Sequence, residues 1–184
     1  FAIMGMGMVR AVGPMVSQAV GAEKEQAVGR SVRQGLWLAL GLGLVILLLL
    51  SSLEPVLRWT GQETVAREGA MAYVRAIRWG ILPFLGFAVL RSFVEGLSRP
   101  LPVTVISLIG VGLNIGANEL LMFGHWGLPA LGLAGTGWAS TIVFTALFVM
   151  LAVFVHRTAP FSDHEVFTRL REPDPTYLRE LVYI

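Results

Sequence analysis

Charged residues divide this chain into five long apolar stretches, and the lengths of those stretches carry most of its structural information. Residues 35–53 (GLWLALGLGLVILLLLSSL) run 19 positions without a charge. A helix rises 1.5 Å per residue, so about 20 apolar residues cross the ~30 Å hydrocarbon core of a bilayer. Residues 101–118 are also uncharged, and the apolar pattern continues to Phe123 apart from Glu119. Residues 127–155 hold 29 uncharged positions. Their opening, GLPALGLAGTG, is rich in Gly and Pro and predicts a turn before a span over about 134–155. Residues 1–22 are apolar except for Arg10, Ser17 and Gln18. The stretch from about 70 to 98 is the least regular, with an uncharged centre, Trp79 to Leu90, of only 12 residues. Arg75 and Arg78 before that centre, and Arg91 and Glu95 after it, are placed to snorkel or to pair at the two interfaces. Five membrane-spanning helices are therefore predicted, over about 1–22, 35–53, 70–98, 101–123 and 134–155.

Composition agrees with an all-α polytopic membrane protein. Hydrophobic residues make up 55% and charged residues 14% of the 184 positions, against roughly 25% charged in soluble domains. Mean hydropathy is +0.70. The formal net charge of +2 is spread in short basic clusters between apolar runs. That is the pattern of membrane topology, not the basic stripe of a nucleic-acid binder. The chain has no cysteine, which excludes disulfides, a thiolate nucleophile and Cys-ligated metals. Its 21 glycines suit closely packed membrane helices.

The distribution of Lys and Arg sets a direction. Lys24, Arg30, Arg33, Arg91, Arg99, Arg157, Arg169, Arg171 and Arg179 fall on one side of the predicted spans, and Arg58, Arg67, Arg75 and Arg78 on the other. The richer side is expected to be cytoplasmic, with Phe1 outside and Ile184 inside. Residues 156–184 then form a cytoplasmic linker, and Asp174-Pro175 reads as the N-cap and first-turn proline of a following helix. A chain that starts on the outer side, directly in an apolar run, is expected to lack an earlier span. It reads as a piece of a longer protein.

Polar groups at membrane depth need a reason. Asn114 and Asn118 stand four apart, so their amides share one helix face. They can supply neutral oxygen ligands to a small cation or orient a proton-bearing carboxylate. Equally, they can serve as interhelical glue, worth about 0.6 kcal/mol on average. Thr136, among the small residues of GLAGTGWAS, can contribute a hydroxyl to a site or bond back to its own helix. Gln18, near the inner end of the first stretch, is open to the same two readings. Glu119 points about 100° away from Asn118, as a proton carrier or as an outer-interface residue. Arg91 and Glu95 have the spacing of a helical ion pair. Catalysis is not expected. His125, His156 and His164 lie in turns or tails without partners at metal-ligand spacing. GMGMVRAVG follows no strand and lacks the lysine of a phosphate loop. No ATP-binding cassette is recognisable, so any transport is expected to draw on an ion gradient, with no cofactor.

The segments VRQGLWLAL (32–40), YVRAIRWGILPF (73–84), LRSFVEGLSRPLPVTVISLIGVGLNI (90–115) and FGHWGLPALGLAGTGWAS (123–140) resemble the multidrug and toxic compound extrusion (MATE) family, most of all its bacterial cation-coupled antiporters. The resemblance implies twelve helices in two six-helix lobes around an alternating cavity. This chain would supply helices two to six of the N-terminal lobe, and its partners would be the lipid bilayer, the absent first helix and the C-terminal lobe. The implied activity is export of amphipathic, often cationic compounds in exchange for sodium ions or protons, across a bacterial cytoplasmic membrane. The family's first-lobe cation site pairs an acidic residue of the first helix with polar residues that match Asn114, Asn118 and Thr136. Some relatives carry Asp at the position of Asn118, and often an aromatic residue where Glu119 stands. Two other readings are weighed against this one. A lipid-linked oligosaccharide flippase would need a more basic cavity than Arg10 alone provides, and a non-transporting scaffold would use the Asn pair only for packing. With its inward polar surface uncovered, the isolated chain is expected to be poorly stable.

Overall fold

The computed structural model describes residues 12–22, 25–59, 64–164 and 166–167. Among these, the regular elements are helices: α1 (Val12–Gly21), α2 (Glu25–Ser51), α3 (Leu53–Trp59), α4 (Thr64–Ile77), α5 (Ile81–Gly96), α6 (Leu101–Leu121) and α7 (Leu133–Arg157). Short 3-10 turns cover Arg78–Gly80 and Phe161–His164. Four helical stretches are long and apolar enough to cross a membrane, at 27–51, 64–96, 101–121 and 133–157. The predicted span at 1–22 lies partly outside the described residues, its described part being α1. Arg10 and the predicted helix from Asp174 lie outside them entirely.

Each long helix buries one stripe and leaves the other apolar. On α2, Val28, Val32 and Ala39 are buried, whereas Leu44, Val45 and Leu48 are exposed. On α6, Val103, Ile106 and Gly110 are buried, and Leu108, Val111 and Ile115 are exposed. A soluble bundle would place charges on such outer stripes; here they match a hydrocarbon surround. The buried centre is formed by α5, through Leu85, Val89, Leu90, Phe93 and Val94, packed with Val28 and Val32 of α2 and Leu151 and Val155 of α7.

The predicted span at about 70–98 is built from two helices joined by the 3-10 turn. Pro83 explains the interruption. A proline ring collides with the carbonyl four residues earlier and offers it no N–H, and that carbonyl belongs to Trp79, inside the turn. The Ile81 N–H instead bonds to the Arg78 carbonyl. One turn earlier, the Ala76 carbonyl accepts a bond from the buried Thr141 hydroxyl of α7, at 2.9 Å. Close approach makes that bond possible. A methyl group on Gly137 would stand 2.7 Å from the Tyr73 carbonyl oxygen, and one on Gly80 would stand 3.0 Å from the Thr141 Cα. Small residues at this crossing therefore let two backbones meet, as in packed membrane helices generally.

Between α6 and α7 the chain reverses through Gly124, Trp126 and Gly127, all with positive φ. The Leu131 and Gly132 N–H groups return bonds to the carbonyls of Leu121 and Met122, at 3.0 and 3.2 Å. After α7, Phe161 is buried against Phe93 and Phe154, with ring centroids 5.9 and 5.5 Å apart. Gly29 of α2 lies directly against the His164 carbonyl, with no room for a side chain.

Two substitutions at the α4–α7 crossing separate hydrogen bonding from packing. Thr141→Val removes one interhelical bond and is expected to cost about 0.6–1.7 kcal/mol. Gly137→Val drives a branched side chain into backbone and is expected to cost more, about 3 kcal/mol. Thermal unfolding of the purified protein in mild detergent checks the order; equal losses would contradict it.

Candidate functional site

The buried stripe of α6, Val103–Ile106–Gly110, continues at helical spacing into Asn114, Asn118 and Leu121. At both ends this stripe meets α7. Gly110 packs on Leu147, and Gly135 sits against the Leu121 backbone with no space for a Cβ. Those two contacts fix an antiparallel register in which Thr136 stands opposite the end of α6, within about one turn (~5 Å) of the level of Asn118.

The two asparagines are half-buried and joined to each other. Asn118 Nδ2 donates to the Asn114 backbone carbonyl at 2.9 Å and to Asn114 Oδ1 at 3.2 Å. Reversing the Asn118 amide would set an oxygen against the carbonyl oxygen, so the hydrogen bonds themselves assign its orientation. With its nitrogen turned back to Asn114, Asn118 presents Oδ1 away from its own helix. Asn114 Oδ1 keeps a second lone pair. The pair thus presents both amide oxygens and the Asn114 amide nitrogen, without formal charge.

Thr136 differs from its hydroxyl neighbours. Ser140 and Thr145 bond to carbonyls four residues earlier, at 3.0 and 2.8 Å, the usual way a membrane helix satisfies a hydroxyl. The Thr136 hydroxyl is buried and has no hydrogen-bond partner among the described residues. Gly132, four residues earlier, takes the Thr136 N–H at 3.3 Å. No hydrogen bond joins Thr136 to the asparagines, so the three residues share a helix interface without forming a closed network.

The remaining candidates lie elsewhere. Glu119 is exposed, and its carboxylate faces the ring of His125 at 3.4 Å; the same His125 Nδ1 lies 3.1 Å from the Glu119 carbonyl. Glu119 therefore closes the α6–α7 hairpin. Gln18 is exposed on α1. Arg91 Nε donates to Glu95 Oε1 at 2.8 Å. This pair lines a groove of about 660 Å³ between α1 and α5, together with Pro14, Ser17, Phe84 and Ala88. Sequence spacing anticipated the ion pair but not the groove, because its other wall is contributed by a helix some seventy residues away. Among the described residues, no three His, Cys, Asp or Glu side chains come together as a metal site.

Helices with apolar outer stripes, glycine-mediated crossings and internally satisfied hydroxyls define an all-α polytopic membrane protein. The MatE family model matches residues 1–120. "Probable multidrug resistance protein NorM" of Synechocystis sp. is 32% identical over 184 residues, covering 100% of this chain and 40% of that protein. The protein of the same description from Mesorhizobium japonicum is 36% identical over 174 residues, covering 94% of this chain and 37% of its own length. A solved structure described as the inward-facing conformation of a multidrug resistance MATE family transporter shares the fold, with a TM-score of 0.83 at 18% identity over 100% of this chain and 42% of that one. The chain belongs to the MatE family. It spans about 40% of the length of the curated relatives it matches.

Because the Thr136 hydroxyl has no partner among the described residues, Thr136→Val is expected to leave thermal stability unchanged or to raise it by up to about 1–3 kcal/mol. Thermal unfolding in detergent, beside Thr141→Val, tests this. A loss as large as that of Thr141→Val would mean that Thr136 is held by an internal bond.

Proposed function

We propose that this chain forms part of a secondary transporter of the bacterial cytoplasmic membrane that exports amphipathic, often cationic compounds in exchange for sodium ions or protons. The proposal includes a role for Asn114, Asn118 and Thr136 as neutral oxygen ligands to the coupling cation. The observation that carries it is the buried Thr136 hydroxyl, left without a partner among the described residues and within about one turn (~5 Å) of the level of Asn118 on the facing helix. A buried polar group without a partner costs about 1–3 kcal/mol, and a cation bound there removes that cost. Oxygen-only donors suit a hard cation, and their neutrality favours a monovalent one whose charge is balanced by a carboxylate elsewhere in the protein.

Exchange follows when cation and substrate favour different conformations. Each ligand then shifts the population away from the state that holds the other. The family relatives described as multidrug resistance proteins support the substrate class. The excess of basic residues beside Lys24, Arg91 and Arg157 supports a cytoplasmic location for those segments.

Asn114→Ala is expected to reach the membrane in normal amount and to lose ion-dependent efflux of a fluorescent cationic dye, by at least about tenfold if one ligand is worth ~1.4 kcal/mol. Efflux measured with and without a sodium gradient, and at two pH values, separates the two coupling ions. Unchanged efflux from the variant would remove Asn114 from the site.

A further inference from the structure

The groove between α1 and α5 lies apart from the asparagine stripe, which faces α7, and its wall has a definite polarity. Phe84, Ala88, Arg91 and Glu95 recur at helical spacing and form one line along α5, about 16 Å from end to end. The line begins aromatic, passes through a small apolar residue and ends in an ion pair near the helix terminus. Pro14 and Ser17 of α1 face it. The volume, about 660 Å³, falls within the ~300–1,000 Å³ range of sites that hold a small amphiphile.

The ion pair leaves much of its bonding capacity unused. Arg91 gives only Nε to Glu95, so its terminal guanidinium N–H groups have no protein partner among the described residues. One oxygen of Glu95 is bonded, and the other keeps free lone pairs. Ser92, also on the groove wall, has no hydrogen-bond partner among the described residues. Side-chain exposures of 52% for Arg91 and 41% for Glu95 keep both heads accessible. The site is formally neutral but contains both charges. A purely anionic head meets repulsion from Glu95, and a purely cationic one meets repulsion from Arg91. A head carrying a phosphate and a primary ammonium satisfies both, and an N–H-bearing ammonium donates to the carboxylate as a quaternary one cannot.

We propose that this groove seats a zwitterionic phospholipid with a primary amine, its phosphate on Arg91, its ammonium on Glu95 and an acyl chain along Ala88 and Phe84. The apolar end of the line lies towards the middle of the 64–96 helical stretch and the ionic end at its terminus. That order is the order of a lipid in a leaflet. Glu95 also holds the Arg91 guanidinium in place, so the phosphate meets a donor already oriented. The inference does not depend on the coupling-ion site.

The test is lipid retention. The purified protein is exchanged in mixed micelles with equal amounts of phosphatidylethanolamine, phosphatidylcholine and phosphatidylglycerol, and bound lipid is counted by native mass spectrometry. Phosphatidylethanolamine is expected to be retained over each of the others by about three- to fivefold, the worth of one partly exposed charge pair. Glu95→Gln keeps the bond to Arg91 but leaves the site with a net positive charge, so the preference is expected to turn towards phosphatidylglycerol. Ala88→Leu, which fills the apolar part without touching either charge, is expected to lower retention of all three. Equal retention of the three lipids, or retention of none because protein covers the groove, would overturn the proposal. So would an unchanged headgroup order in Glu95→Gln, or displacement of the lipid by soluble glycerophosphoethanolamine.

Discussion

In hydrocarbon, a polar group has no water to fall back on, and the arrangement of this bundle follows from that constraint. The constraint acts hardest where a helix is interrupted. At Pro83 the backbone ladder of the 64–96 stretch is broken at the Trp79 carbonyl, and one turn earlier, beside the 3-10 turn, α7 comes close enough for Thr141 to bond to the Ala76 carbonyl. That closeness is supplied by Gly80 and Gly137. Two glycines and a threonine thus act together at this crossing, the glycines giving the approach and the threonine the bond.

Against that background, the α6–α7 interface has two kinds of polar residue. Ser140 and Thr145 are closed internally, and so is the amide nitrogen of Asn118. What stays open is the hydroxyl of Thr136, the Oδ1 of Asn118 and the amide nitrogen of Asn114. The hydroxyl of Thr136, buried and unpartnered, is the polar atom that sets this interface apart from Ser140 and Thr145.

Much of this architecture was legible in the sequence because hydrocarbon imposes a length rule that few chains meet by accident. The uncharged run at 35–53 falls in α2 up to Ser51, and the Gly-Pro turn before residue 134 gives way to α7 at Leu133. The i,i+4 spacing of Asn114 and Asn118 announced a shared face, and that of Arg91 and Glu95 announced a salt bridge. What the sequence did not carry was distance between helices. The Ala76–Thr141 bond joins residues 65 positions apart, and nothing local to Thr141 marks it over Thr145. The Glu119–His125 contact was hidden because a proton carrier and a hairpin clasp look alike until the reversal at Gly124 is known. The groove beside Arg91 was hidden for the same reason, since only one of its walls is continuous in sequence.

The segment that follows α7 ties three helices together. The chain does not leave the end of α7 as a loose strand. Phe161 is wedged between Phe93 and Phe154, and the next turn rests on α2 at Gly29. Residues 161–164 thereby join α2, α5 and α7 at one end of the bundle, so three helices distant in sequence share a single packed terminus.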